Sequence, residues 1–168
     1  MSDRATPAFK YIGKHRRAVE HKRFVRGQGR YAADIQLPGL LHVALVASPY
    51  ASARIKSIDV SSALTMPGVH AIVTGEELID QTDAMLPGVD APKVKRYPMA
   101  HGVVRYSGEW VVAVVAESRA LAEDAAELIE IDYEPLPAAS DCLKALEPGA
   151  PAAHLGTSTN LAARIPFS

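Results

Sequence analysis

The stretch VVRYSGEWVVAVVAESRALAEDAAELIEIDYEPLP, residues 103–137, decides the fold. Its centre, Trp110–Ala116, is an unbroken apolar run rich in β-branched residues, which is typical of a strand covered on both faces. Ser107-Gly108 in front of this run is a turn signal between two strand-like segments. The pattern therefore predicts two strands joined by a tight turn. We further expect the only tryptophan, Trp110, to be buried at the start of the central strand.

A helix and a third strand follow within the same stretch. Ser118 is a candidate N-cap, because its hydroxyl can accept a hydrogen bond from a free backbone N–H in the first turn. Apolar residues then recur at helical spacing, opposite a face of carboxylates: Leu121, Ala122, Ala125, Ala126, Leu128 and Ile129 against Glu123, Asp124 and Glu127. We expect Leu121, Ala125 and Leu128 to face the sheet. The next strand, at 131–133, is stopped by two prolines.

Length and composition indicate one globular domain. The chain has 168 residues, of which 48% are hydrophobic and 22% charged, so it can bury a core of its own. Its single cysteine, Cys142, excludes an internal disulfide and fits a reducing compartment. No apolar run approaches the roughly 18 to 20 residues of a membrane-spanning helix, and the N-terminus has no apolar signal-peptide core. We therefore expect a cytoplasmic protein without a membrane partner.

Charge is unevenly distributed along the chain. Residues 1–30 contain nine Lys or Arg and two Asp or Glu, whereas residues 107–147 contain ten Asp or Glu and two Lys or Arg. A basic arm can bind nucleic acid or an acidic protein face, but it can equally be solvated or pair with the chain's own acidic half. We expect no nucleic-acid binding, because the basic residues are not interleaved with a recognition motif.

The chain divides into three parts. Residues 1–39 are punctuated by glycines and predict an extended arm, 40–146 hold the core, and 147–168 resemble a linker-like tail. Within the core, apolar or alternating runs predict strands at 40–47, 54–60 and 69–74, helical turns at 61–65, 75–79 and 141–146, and a long loop at 80–99. Because strands and helices do not alternate regularly, we predict an α+β domain with a mixed β-sheet and packed helices, and not a doubly wound one.

None of the motifs that resemble active sites is convincing. Gly27, Gly29 and Ala32 fit G-x-G-x-x-A with Asp34 beyond, but the preceding residues form a poor strand and Pro38-Gly39 leave no room for the helix that a dinucleotide loop needs. The six histidines show no metal-ligand spacing, and Cys142 has no histidine near it in the sequence to act as a base. The carboxylates of the predicted helix are typical of a solvated face, and Tyr106 and Tyr133 of packing residues. We therefore expect no catalytic, cofactor-binding or metal residue in this chain.

Taken together, the segments are similar to a known family. The similarity lies in an ordered series of short motifs that covers the chain to about Asn160: Gly13-Lys14, GQGRYAAD at 27–34, Pro38-Gly39-Leu40, Ser48-Pro49, Ala53-Arg54-Ile55, IDVS at 58–61, Pro67-Gly68-Val69, Thr74-Gly75, Val104-Arg105-Tyr106, Gly108-Glu109 and DYEPLP at 132–137. In this order and spacing they resemble the N-terminal a/b hammerhead domain of the molybdenum hydroxylase large subunit. That family includes xanthine dehydrogenase, aldehyde oxidase and aerobic carbon monoxide dehydrogenase.

Three positions depart from the family pattern. Ala47 stands where the family commonly has Arg, Ser52 where it often has His, and Trp110 where it commonly has Pro. We expect these changes to affect packing or the contact with the rest of the subunit. They weaken a tie to any one subfamily and leave the fold unaffected.

The resemblance implies a scaffold role and no chemistry of the chain's own. In the family, the molybdenum–pterin cofactor and the catalytic glutamate belong to domains that follow the hammerhead, and iron–sulfur clusters and FAD belong to other domains or subunits. The expected partners are therefore the remaining molybdenum-binding domains of the large subunit and the iron–sulfur and flavin subunits. The alternative is a free-standing binding or assembly module with no enzymatic role.

Overall fold

The computed structural model describes residues 9–85 and 94–164, in two compact units, Met1–Pro38 and Gly39–Ser168. In the first unit the described residues form one helical turn, α1 (His21–Phe24), and a 3-10 turn at Ala32–Asp34. The rings of Phe24 and Tyr31 stack with their centroids 5.9 Å apart. The other described residues of this unit, from 9 to 38, form no helix or strand.

In the described part of the chain, the first sheet of the second unit contains three strands: β1 (His42–Ala47), β3 (Val69–Thr74) and β5 (Trp110–Ala116). Their order in the sheet is β1-β5-β3. The apolar run that the sequence singles out is the middle strand, and it pairs antiparallel with both neighbours. Each outer strand has one irregularity of register, between Val46 and Ala47 in β1 and between Val69 and Ala71 in β3.

The second sheet also contains three strands, in the order β4-β2-β6. They are β2 (Ala53–Asp59), β4 (Val103–Val104) and β6 (Glu130–Pro135). Both pairings are antiparallel. The α+β class is confirmed, but the described strands form two antiparallel sheets where we expected a mixed sheet. Consecutive strands alternate between the two sheets, and every pair of neighbouring strands runs in opposite directions.

The helices that accompany the sheets in the described residues are α2 (Ser61–Leu64), α3 (Gly75–Ile79) and α4 (Arg119–Glu127). The predicted cap of α4 is confirmed, since the Ser118 hydroxyl accepts a hydrogen bond from the Leu121 amide at 3.2 Å. The buried face of α4 consists of Ala122 and Ala125, while Leu128 is 44% exposed. Leu128 follows the last helical residue, so its side chain is displaced from the stripe that packs on the sheet.

The core lies between α4, the first sheet and the second sheet. Val111, Val112 and Val114 are fully buried, and Val114 packs with Ala63 of α2 and Ala125 of α4. The prediction that Trp110 is buried was wrong, because its side chain is 50% exposed. Trp110 begins β5 opposite Ala47, where the register between β1 and β5 skips Val111. Its backbone carbonyl accepts a hydrogen bond from the Ala100 amide at 2.7 Å.

A close backbone approach at Gly75 fixes the segment that leads into β4. A Cβ atom at Gly75 would lie 1.8 Å from the carbonyl oxygen of Ala100, so only glycine fits there without a shift of backbone. In the long loop predicted at 80–99, Met85 and Arg96 form an isolated antiparallel bridge, and residues 86–93 lie outside the described residues.

The described part of the predicted tail contains no helix or strand after the 3-10 turn at Lys144–Leu146. Asn160 organises this segment through its side-chain amide. Its Nδ2 donates to the carbonyl oxygens of Ala145 and Pro151, at 2.9 and 2.8 Å, and its Oδ1 accepts from the Ala153 amide at 2.7 Å. Across residues 9–85 and 94–164, no helix has the length and apolar character that crossing a membrane requires.

Candidate functional site

The turn between β4 and β5 holds a buried carboxylate, Glu109, which is 7% exposed. Gly108 has a φ of 89°, and this left-handed conformation lets the chain reverse after Ser107. Ser48 locks the turn through its backbone: its carbonyl accepts from the Gly108 amide and its amide donates to the Glu109 carbonyl, both at 2.8 Å. The turn is thereby fixed to the end of β1.

Among the described residues, Arg105 is the partner of the Glu109 carboxylate. It accepts a hydrogen bond from the Arg105 backbone amide, and the Arg105 guanidinium Nη1 lies 3.3 Å from Glu109 Oε1. A buried charge is tolerated when it is paired and hydrogen-bonded. This pair therefore holds the turn closed from within, and its most direct role is structural.

A cleft of about 250 Å³ opens beside this pair. It is lined by Lys95, Arg96, Tyr97, Arg105, Tyr106, Glu109, Ala153 and His154. Burial, and then the nearby Arg105 charge, lower the pKa of His154. Burial and Arg105 likewise lower the pKa of His101, whose ring stands edge-on to Tyr97 at 5.0 Å between centroids. Both imidazoles therefore favour the neutral form.

The chemistry available in this cleft is limited. The lining contains no serine or cysteine nucleophile, and its one carboxylate is already engaged by Arg105. No group of three His, Cys, Asp or Glu side chains able to hold a metal ion occurs among the described residues. The arrangement can bind a polar group weakly, but it does not assemble a nucleophile, a base and a stabilising donor around a reacting atom.

The glycine motif of the first unit does not form a dinucleotide loop. Gly27 follows the single turn α1, where such a loop requires a strand, and Ala32–Asp34 is a 3-10 turn of three residues. Asp34 accepts a hydrogen bond from the Tyr31 amide at 2.9 Å, so its carboxylate caps its own turn. Gly27 has a φ of 67°, a left-handed conformation that glycine adopts without strain.

The other candidate residues are dispersed. Cys142 is exposed. Glu123 pairs with Arg119 on the surface of α4 at 2.7 Å, and Asp124 and Glu127 are exposed. Tyr133 packs its ring on Tyr50 with 5.3 Å between centroids, and burial raises the pKa of its phenol. The residue that sequence reasoning missed is Glu109. Its signal was a carboxylate directly after a Ser-Gly turn, at the point where the chain enters the most apolar strand.

These features define a class of protein: an α+β domain of two antiparallel sheets, whose candidate site is a structural ion pair beside a shallow cleft. Comparison with known proteins narrows this class. Residues 26–137 match the family model of the a/b hammerhead domain of aldehyde oxidase and xanthine dehydrogenase. This chain therefore belongs to that family.

Relatives and solved structures agree with this assignment. The carbon monoxide dehydrogenase large chain of Afipia carboxidovorans is 44% identical over 140 residues, which are 83% of this chain and 17% of that one. The nicotine 6-hydroxylase large subunit of Paenarthrobacter nicotinovorans is 40% identical over 141 residues, 82% of this chain and 17% of that subunit. The crystal structure of quinoline 2-oxidoreductase from Pseudomonas putida 86 superposes with a TM-score of 0.78 at 40% identity, covering 86% of this chain and 19% of that one. The chain thus spans about one sixth of the length of these curated relatives.

Proposed function

We propose that this chain is the scaffold portion of the large subunit of a molybdopterin-dependent hydroxylase, and that it is inactive alone. The observation that carries the proposal is the hammerhead match over residues 26–137 together with relatives that are named large chains or large subunits. The matched region is only 17% of the length of each of these relatives, so the rest of each large subunit has room for the catalytic domains.

The chain's own residues do not fit the cofactors of such an enzyme. A common iron–sulfur cluster takes about four cysteine ligands, whereas the sequence contains one cysteine. The described residues contain no three-ligand metal group, and the cleft beside Glu109 has no serine or cysteine nucleophile. The molybdenum–pterin group, the iron–sulfur clusters and FAD therefore belong, in this proposal, to other domains and subunits. Those groups supply the hydroxylation of a carbon centre with oxygen from water and the passage of electrons to flavin.

In this proposal the chain contributes a folded support for the other domains of the large subunit. The Arg105–Glu109 pair and the Ser48 backbone fix the turn that leads into the middle strand of the first sheet. The Ala122 and Ala125 face of α4 then closes one side of that sheet. We propose the division into an arm at 1–39, a core at 40–146 and a tail at 147–168, and a cytoplasmic location, in keeping with the single cysteine.

The test is to purify the tagged chain from its source cells and to measure molybdenum, iron and flavin in the eluate. We expect all three to be recovered with the chain, together with the polypeptides that hold them. The chain produced alone should show no oxidation of aldehydes or purines and no tight binding of molybdopterin. Activity of the chain alone would contradict the proposal.

The alternative, a free-standing assembly module, is separated by the same eluate. The enzymatic interpretation would be wrong if the preparation contains no metal and consists of the chain alone, or of the chain with a non-enzymatic partner. A separate experiment measures nucleic-acid binding by the basic residues of the first unit at increasing salt concentration, because such binding falls steeply as salt is raised. We expect no binding at low salt.

A further inference from the structure

One face of the first sheet is apolar and exposed. Side chains alternate between the two faces of a strand, and the pairing register places Val43 and Leu45 of β1 beside Val115 and Ala113 of β5. On the other side of β5, Val115 pairs with Ala71 of β3, and Ala113 pairs with Val73 of β3. We name these six residues the open face: Val43, Leu45, Ala71, Val73, Ala113 and Val115.

The two sides of the first sheet differ sharply in burial. Val112, Val114 and Ala116, which point the other way along β5, are fully buried. On the open face, Val43 is 58% exposed and Leu45 is 42% exposed, and the other four residues are partly exposed. Leu41, just before β1, adds a further apolar side chain that is 42% exposed. Contiguous exposed apolar side chains on a soluble domain mark an interaction surface.

The composition of the open face selects the chemistry of its partner. None of its six residues is charged or carries a side-chain hydrogen-bonding group. An ionic or strongly hydrated surface placed there would lose water without gaining hydrogen bonds, which is costly. The occupant is therefore an apolar protein surface, and not a nucleic acid or an acidic peptide.

The size of the open face favours a tethered or permanently assembled occupant over a second copy. A standard interface buries roughly 800 Å² on each partner, and six residues of small to medium size, at most 58% exposed, fall well short of that. A surface held close by the same polypeptide, or by other contacts in a permanent complex, needs no such area, because tethering supplies the effective concentration. The matched region is only 17% of the carbon monoxide dehydrogenase large chain, so such a neighbour exists in that relative.

We infer that the open face is the surface on which this domain seats the molybdenum-binding part of its large subunit. The inference rests on the proposed function and adds to it the face, the residues and the apolar character of the contact. Leu45 and Val43 on β1 are its most exposed members and the best places to measure it.

The test is the labelling rate of cysteines introduced one at a time. The background is Cys142→Ser, which removes the only native thiol. Val43→Cys and Leu45→Cys report on the open face, and Ser57→Cys, exposed on β2 of the second sheet, is the matched control. Each variant is labelled with a maleimide twice: as the chain alone, and in the molybdenum-containing assembly purified from source cells.

We expect labelling at positions 43 and 45 to slow by at least about tenfold in the assembly, since burial excludes the reagent, with no change at position 57. Within the assembly itself, the ratio of the rates at 45 and 57 gives the same answer without reference to the isolated chain. Equal rates at 45 and 57 in an assembly that contains molybdenum would overturn the open-face inference and leave the proposed function standing.

Two further outcomes are distinguishable. If the assembly contains no molybdenum, the proposed function fails, and the occupant named here fails with it. If the isolated chain forms a discrete dimer that protects positions 43 and 45 as fully as the assembly does, the occupant is a second copy, and the inference is overturned.

Discussion

The two sheets of this domain differ in the polarity of the side that faces away from the core. The middle strand of the first sheet, β5, is apolar along its whole length, with buried valines on one face and the open face on the other. The middle strand of the second sheet, β2, has two polar or charged positions between core residues because its register shifts after Ile55: Ile55 and Ile58 pack against the core, while Arg54 and Lys56 are exposed. Arg54 lies opposite Glu134 of β6, with 3.6 Å between Nε and Oε2.

This difference indicates which side of the domain needs no partner and which side is available for assembly. The outer side of the second sheet carries charges that water solvates, so that side needs no partner. Among the described residues, α4 covers one side of the first sheet, and the other side is apolar and partly exposed. We therefore expect substitutions on the covered side to change stability, those on the open face to change assembly, and those on the charged side to change little.

The largest effect should come from the covered side of the first sheet. Ala125→Glu puts an unpaired charge where α4 meets Val114, and it should lower the free energy of unfolding by about 3 to 5 kcal/mol. Ala120→Glu, on the exposed side of the same helix, is the control and should be near neutral. Urea denaturation measures both. A near-neutral Ala125→Glu would refute the placement of α4.

The next effect tests the turn that feeds the first sheet. Glu109→Ala leaves the Arg105 amide and guanidinium without their acceptor, which should cost about 2 to 3 kcal/mol of unfolding free energy. Glu109→Gln keeps one acceptor oxygen and should cost less. Equal losses for Ala and Gln would mean that the charge, and not the hydrogen bond to the amide, fixes the turn.

Acid should weaken the fold by a smaller amount. Burial and Arg105 lower the folded-state pKa of His101, so the unfolded chain binds its proton more readily than the folded one. Stability is then fully present above the ordinary histidine pKa of about 6.5 and declines as the pH falls below it. The melting temperature measured across that range should fall less steeply for His101→Phe, which keeps a ring against Tyr97.

The smallest effect should come from the charged side of the second sheet. Arg54 and Glu134 have side chains that are 55% and 51% exposed, so their ion pair is screened by water. Arg54→Ala should change the free energy of unfolding by at most about 1 kcal/mol. A loss comparable to that of Ala125→Glu would erase the contrast between the two sheets.

Local chemistry made much of this fold predictable. The β-branched run at 110–116, the Ser118 cap and the prolines after residue 134 act on near neighbours, and the strands and α4 lie close to where those signals put them. The partners of each strand are set by contacts distant in the sequence, and for that reason one mixed sheet was expected where two antiparallel sheets form.

The candidate site was less predictable for a related reason. Glu109 is buried where the backbone of Ser48, far away in the sequence, hydrogen-bonds to the turn that contains it. No local sequence pattern indicates that contact. Trp110 was assigned to the core from its apolar neighbours, yet its position at the first residue of β5 leaves it half exposed. The close approach of Gly75 to Ala100 likewise depends on a segment that follows much later.

The position of β1 has a consequence for handling the protein. Within the described residues it is an outer strand, HVALVA, with no lysine, acidic residue or proline to discourage a further strand from pairing with its free edge. The bulge between Val46 and Ala47 disturbs only its last residue. Free edge and apolar face therefore meet on one strand, so the isolated chain should aggregate progressively as it is concentrated, and its solubility limit becomes a direct readout of how much of β1 is covered.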